Sequence, residues 1–135
     1  MRFFFDVSIS TRLVKALRVL AEFQPYELST LEERFDASTP DPTWLRQLGR
    51  ESGWVVVSAD PKITRGKAER AAWAESGLTA FFFSEAYSSR TIWNQASELM
   101  HWWPDILRLA KDNASGTGFL IPARGGKIKP IYPPR

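Results

Sequence analysis

Short apolar runs alternate with amphipathic stretches along most of this chain. Phe3-Phe4-Phe5, closed by Asp6, reads as a short, fully buried strand. Ser10 is placed to cap a helix running to about Phe23, with Leu13, Val14, Leu17 and Leu20 on one face. Tyr26-Glu27-Leu28 suggests a second strand, and Ser29 or Thr30, each three residues before a glutamate, could open a helical turn by a capping box. Asp41-Pro42 signals a helix start, with Asp41 as the cap and an end near Gly53. Trp54-Val55-Val56-Val57 is the clearest strand, and residues 66–76 read as a helix stopped by Gly77. Ala80-Phe81-Phe82-Phe83 is a further buried strand. From Ser89 to Asp112, Ile92, Trp93, Ala96, Leu99, Met100, Trp103, Ile106, Leu107 and Ala110 recur at helical spacing, with Pro104 expected to kink the helix or start another. Phe119-Leu120-Ile121 offers a last strand, and the basic end is expected to be partly mobile.

Strands alternating with helices predict βαβ units: an α/β fold around a mainly parallel sheet of four to five strands. With 135 residues and no dividing linker, one domain spanning 1–135 is expected, with 113–135 as a C-terminal strand and tail. The chain has no cysteine and a single histidine, so disulfides, thiolate chemistry and multi-histidine metal sites are excluded. If it does chemistry, carboxylates and hydroxyls must carry it. No apolar run approaches the ~20 residues of a membrane span, and the first residues meet charge too soon for a signal peptide. A cytoplasmic protein with no membrane association is the expectation. The net charge of +3 permits a polyanionic partner without requiring one.

Two strands, Phe3–Phe5 and Val55–Val57, lead directly or almost directly into an aspartate, Asp6 or Asp60. Ligands of open parallel sheets bind at the carboxyl ends of strands, so both side chains are candidates for one rim, and Asp41 could converge on it. Several carboxylates at one rim repel unless a cation sits among them, and hard oxygen ligands suit Mg²⁺ or Mn²⁺. Plainer roles exist for two of them: Asp41 as a helix cap and Asp60, before Pro61, as a turn residue. A charge at Asp6 beside three phenylalanines is costly unless solvated, paired or metal-bound. Lys62, Arg65, Lys67 and Arg70 cluster beyond Asp60, where a phosphodiester backbone would be held, or where a helix simply starts in solvent.

Phe3-Phe4-Phe5-Asp6 before a Ser-initiated helix, Asp41-x-x-Trp44-Leu45, Trp54-Val-Val-Val-Ser58-x-Asp60 and Ile63-x-Arg65-x-x-x-Glu69 together resemble the PIN-like domain family, and within it the short VapC-type toxins. The likeness spans about residues 2–84. It implies a three-layer α/β/α fold and a Mg²⁺- or Mn²⁺-dependent ribonuclease acting as the toxin of a toxin–antitoxin pair. Asp6, Asp41 and Asp60 match the family's metal-binding aspartates, and Glu69 matches an acidic position of the short subgroup. Ser58 matches a hydroxyl position able to orient a carboxylate or a water. The resemblance implies RNA as substrate, held by Lys62, Arg65 and Lys67 with Ser58, and cut by a metal-activated water. A cognate antitoxin is the implied partner, and a homodimer is a further candidate assembly. Larger members carry a glutamate on an additional helix; this chain is shorter there and offers only Glu32, Glu33 and Asp36. That difference leaves a rival: a non-catalytic PIN-like module whose acidic rim binds a basic peptide.

His101 reads as a structural or surface residue. Trp73, Trp93 and Trp103 fall at apolar helical positions and suit the core. Trp102, just before Trp103 and Pro104, is the candidate exposed tryptophan for a dimer or antitoxin interface. The tail Arg124-Gly-Gly-Lys127-Ile-Lys129 offers a weaker nucleic-acid contact.

Overall fold

Alternate residues of each central strand face opposite sides of the sheet, and the two sides carry separate apolar clusters. A computed structural model describes residues 1–112, 116–123 and 125–131; Arg124 and the last four residues of the basic tail lie outside them. The strands are β1 (Arg2–Phe5), β2 (Glu27–Thr30), β3 (Trp54–Ser58), β4 (Thr79–Phe83), β5 (Gly118–Ile121) and β6 (Lys129–Ile131). They form one sheet in the order β2-β1-β3-β4-β5-β6, parallel except for β6. Phe3, Phe5, Val55, Val57, Phe81 and Phe83 face one cluster; Phe4, Trp54, Val56, Ala80 and Phe82 face the other. A fully buried aromatic of this kind contributes on the order of 2 kcal/mol, so three consecutive ones fix β1 between two layers.

The helices are α1 (Thr11–Leu20), α2 (Leu31–Arg34), α3 (Asp41–Glu51), α4 (Lys62–Arg65), α5 (Lys67–Ser76) and α6 (Ile92–Asp112). Leu13, Val14 and Leu17 of α1 and Leu99, Trp103 and Ile106 of α6 cover the first face. Trp44, Leu45 and Leu48 of α3 and Ala72 and Trp73 of α5 cover the second. The three-layer α/β/α arrangement expected from the sequence is therefore present.

Several local expectations are corrected. The sheet has six strands, because the three-residue β6 pairs antiparallel at the edge. Pro130 is tolerated there because edge strands leave one row of N–H groups unused, and so short a segment carries no periodicity. Ser10 does cap α1, its hydroxyl accepting from Arg12 N–H, but the helix stops at Leu20. Leu20 is 71% exposed, and Phe23, with φ of 68°, is 95% exposed. The capping residue before α2 is Thr30: the Glu33 carboxylate accepts from both its N–H and its hydroxyl. Pro40, not Asp41, precedes α3, so Asp41 is its first residue and Pro42 its second. Pro104 lies within a continuous α6.

The tryptophans of α6 exchange roles. Trp93 is 82% exposed, whereas Trp102 is only 7% exposed and packs in the core, which removes it as an interface residue. The apolar stripe of α6 is wider than the arc the sheet can cover, and the helix is rolled toward Glu98 and Trp102. Trp73 and Trp103 are buried as expected. Among the described residues, no helix is long and apolar enough to cross a membrane.

Candidate metal centre

The strand order reverses direction between β1 and β3, because β2 lies on one side of β1 and β4 beyond β3 on the other. Crevices for ligands open at such a switch point, outside the carboxyl ends of the strands. Phe5 pairs with Val57, and Asp6 N–H donates to Val57 carbonyl at 3.3 Å, so Asp6 and Ser58 leave the sheet side by side. The alternation of β1 and β3 turns both toward the layer containing α3, whose first residue is Asp41.

Asp6 is 2% exposed. Its Oδ1 accepts the Ser8 N–H at 3.0 Å and also the Ser8 hydroxyl, and its Oδ2 accepts the Ser58 hydroxyl at 2.5 Å. The ladder continues across the gap: Ala59 N–H donates to Ser8 Oγ at 2.8 Å, and Asp60 N–H donates to Ser58 Oγ at 3.0 Å. Asp60 Oδ1 in turn accepts the Lys62 N–H at 2.9 Å, turning the chain into α4. The first turn after β1 and the exit of β3 are thus tied through two serine hydroxyls to one buried carboxylate.

The electrostatics of this ladder are unrelieved. Burial pushes the Asp6 carboxyl up to about 6; hydrogen bonds from Ser58 and Ser8 oppose the shift, and the charge of Asp41 adds to it. Asp41 is also raised, by burial and then by the charges of Asp60 and Glu69, with Trp44 and Lys62 acting in the opposite direction. The four sequence-selected acids therefore form one interacting set with Asp41 at its hub. The capping role considered for Asp41 is not what the side chain does: its Oδ1 accepts the indole N–H of Trp44 at 3.1 Å. Glu69 lies in the first turn of α5, folded back against Gly66, where any added side chain would collide with its carboxylate.

The donor set is carboxylate and hydroxyl oxygen throughout, with Lys62 partly offsetting the charge at Asp41, so the chemistry suits a hard divalent cation. As the side chains stand, no three Asp, Glu or His among the described residues are gathered into a ligand group. Protein donors hold Asp6, Asp41 and Asp60 instead.

Lys62, Arg65, Lys67 and Arg70 are exposed around α4 and the start of α5. Arg65 is ion-paired with Glu85, linking α4 to the turn after β4. Glu33, considered for the family's additional acidic position, is committed to Thr30 and to Arg18 at 2.7 Å. Two contributors escaped the sequence reading. Ser8 completes an Asp-x-Ser turn, a spacing at which Asp oxygens accept the N–H two residues on. Trp44 sits one helical turn after Asp41, close enough to donate to it.

A three-layer α/β/α domain with a cluster of acidic residues at the switch point of a mainly parallel sheet is the class this geometry defines. The model of the PIN-like domain family matches residues 1–85, and the chain belongs to that family. No curated protein and no solved structure matches it significantly.

Proposed function

We propose that this PIN-like protein is a divalent-metal-dependent endoribonuclease, acting as the toxin of a type II toxin–antitoxin pair of the VapC kind. The observation that carries the catalytic reading is the Asp6 carboxylate, pushed up to about 6 by its burial, with the charge of Asp41 adding to the shift and Asp41 in turn raised by burial and by Asp60 and Glu69. Structural ion pairs lower carboxyl pKa values; burial and neighbouring like charge raise them, and carboxyls raised in this way gather at functional sites. Asp6, Asp41 and Asp60 would hold Mg²⁺ or Mn²⁺, with Glu69 as a further ligand or water-orienting group. A bound ion of this type supplies charge neutralisation at a phosphate and makes a nearby water more acidic. Ser8 and Ser58 fix both oxygens of Asp6, so its carboxylate is oriented before any ligand arrives. Trp44 holds one oxygen of Asp41 in a similar way. Lys62, Lys67 and Arg65 would hold the RNA backbone beside them, Arg65 by exchanging Glu85 for a phosphate.

The toxin role and the antitoxin partner rest on the likeness to the short family members. A second reading, the non-catalytic module with a basic peptide at the rim, is favoured by the hydrogen bonds that already engage Asp6, Asp41 and Asp60. One experiment separates the two: single-stranded RNA is incubated with the purified chain in Mn²⁺, in EDTA, and with Asp6→Asn. Cleavage that needs both Mn²⁺ and Asp6 supports the nuclease. No cleavage, with no heat of Mn²⁺ binding at millimolar metal, leaves only the module.

A further inference from the structure

Helix α1 turns one side to the sheet and leaves an apolar stripe on the other. Leu13, Val14 and Leu17 are buried, while Arg12, Lys15 and Ala16 are exposed. Val19 and Leu20 are each 71% exposed, and Phe23, in the turn that follows, is 95% exposed. Ala16, Val19, Leu20 and Phe23 recur at spacings of three or four residues, the spacing of neighbours on a helix surface. Ala21 N–H donates to the Leu17 carbonyl and Glu22 N–H to the Val19 carbonyl, so the helical trace carries on into the turn and brings Phe23 to the end of the stripe.

Phe23 is costly where it stands. Its φ of 68° puts a bulky residue in the left-handed region that favours glycine. Its exposed ring adds little to the core, and neither Phe23 nor Val19 belongs to either apolar cluster. Backbone strain of this kind gathers at functional positions.

The charges along the stripe select what covers it. Arg12 and Lys15 stand toward its amino end and Glu22 at its carboxyl end, all exposed. Among the described residues, neither Lys15 nor Glu22 has an ion-pair partner. Lys15 and Glu22 are two turns apart on one side of the helix, about 10 Å along its axis. A two-fold axis near Val19 would lay Lys15 of each copy against Glu22 of the other, both pairs forming at once. Phe23 of one copy then comes beside Ala16 of the other, whose small side chain leaves room for the ring. That is the self-complementarity an isologous contact requires. A phosphate backbone would be repelled by Glu22, and an anionic membrane surface calls for basic flanks without an acid at one end.

We propose that the exposed face of α1 and the turn after it, from Ala16 to Phe23, is the interface of a homodimer in which two α1 helices pack antiparallel with reciprocal Lys15–Glu22 ion pairs. The stripe lies on the side of the sheet opposite α3 and α5, so pairing leaves Asp41 and Glu69 open. The interface stands whether or not the acidic residues cut RNA. One helix and a turn make a small contact by the standards of specific dimers, so dissociation on dilution through the micromolar range is expected.

The test is sedimentation velocity of the purified chain from low micromolar to several hundred micromolar protein, without RNA or metal. Wild type is expected to pass from monomer to dimer across that range. Phe23→Gly should stay monomeric at every concentration while melting no lower than dilute wild type, because glycine takes the left-handed conformation freely. Lys15→Glu and Glu22→Lys should each weaken association roughly tenfold, since each sets like charges face to face in two places. The two changes combined should restore association, because the pairs are re-formed with their signs exchanged. A wild type that stays monomeric throughout overturns the interface. So does a dimer that survives Phe23→Gly, or a double charge reversal that associates no better than either single variant.

Discussion

The two ends of β1 and β3 carry charge in opposite ways. At the amino end, Trp54 lies between two guanidinium groups, Arg2 at 4.3 Å and Arg34 at 4.8 Å from its ring centre. Glu51 accepts from Arg34, Gln47 and the Trp54 indole. Desolvation works against the Glu51 charge, yet those hydrogen bonds and the Arg34 charge overcome it and hold the carboxyl below its usual range. At the carboxyl end, Asp6 is more deeply buried, has serine donors in place of a cation, and is pushed up to about 6. One end of the same strands is an electrostatically finished structure; the other is left strained. Strain of that kind persists where a ligand relieves it, and its cost falls on the stability of the free protein.

The largest expected break in this contrast comes from Asp6→Asn. Mn²⁺-dependent RNA cleavage should fall by more than about 100-fold, since loss of a group supporting a metal ligand already costs roughly 10–100-fold. The folded protein should meanwhile become more stable in metal-free buffer at pH 7.5, by up to about 3 kcal/mol, the equivalent of a carboxyl moved from 3.8 to about 6. Urea titration and a cleavage assay on one preparation read both effects.

The pH dependence has a definite sign. The folded-state value of Asp6 lies above the unfolded one, so the protonated form is favoured in the fold. The penalty is in full force above about pH 6 and disappears as pH falls toward 3.8. Metal-free wild type should therefore gain stability relative to Asp6→Asn as pH is lowered through that window, as measured by chemical denaturation at several pH values. A parallel pH profile for the two proteins would mean that the Asp6 charge is not strained.

Smaller effects sharpen the comparison. Ser58→Ala removes a donor to Asp6 and the acceptor of the Asp60 N–H, and should cost about 2 kcal/mol at pH 7.5, with a smaller cost at pH 4. Glu51→Gln, at the finished end, should cost about 1 kcal/mol by urea denaturation and leave RNA cleavage unchanged.

Sequence reading worked best where one local pattern had one physical cause. Three phenylalanines followed by an aspartate announce a strand buried on both faces that ends in a charge, and Trp54–Val57 announces its neighbour. Parallel pairing of those two strands was enough to put Asp6 and Asp60 on one rim. It failed where the cause was tertiary. Trp93 and Trp102 both fit an amphipathic α6, and only the roll of that helix on the sheet decides which is buried. β6 is too short to show a period, and its pairing with β5 alone makes it a strand. At the site, the four acids and the Ser58 hydroxyl were legible as sequence motifs, but the other donors that orient the acids were not. Ser8 and Trp44 matter through hydrogen bonds to Asp6 and Asp41, and a motif of acidic residues carries no trace of them.

The most direct test of the acidic cluster as a cation site is a thermal-denaturation titration of wild type and Asp6→Asn with Mn²⁺ at pH 7.5. Without metal, Asp6→Asn should melt higher. Rising Mn²⁺ should raise the wild-type Tm progressively, by the mass action of a ligand on the folded state, and close or reverse the gap while the variant hardly moves. An equal shift in both proteins, or no shift in either, contradicts the assignment.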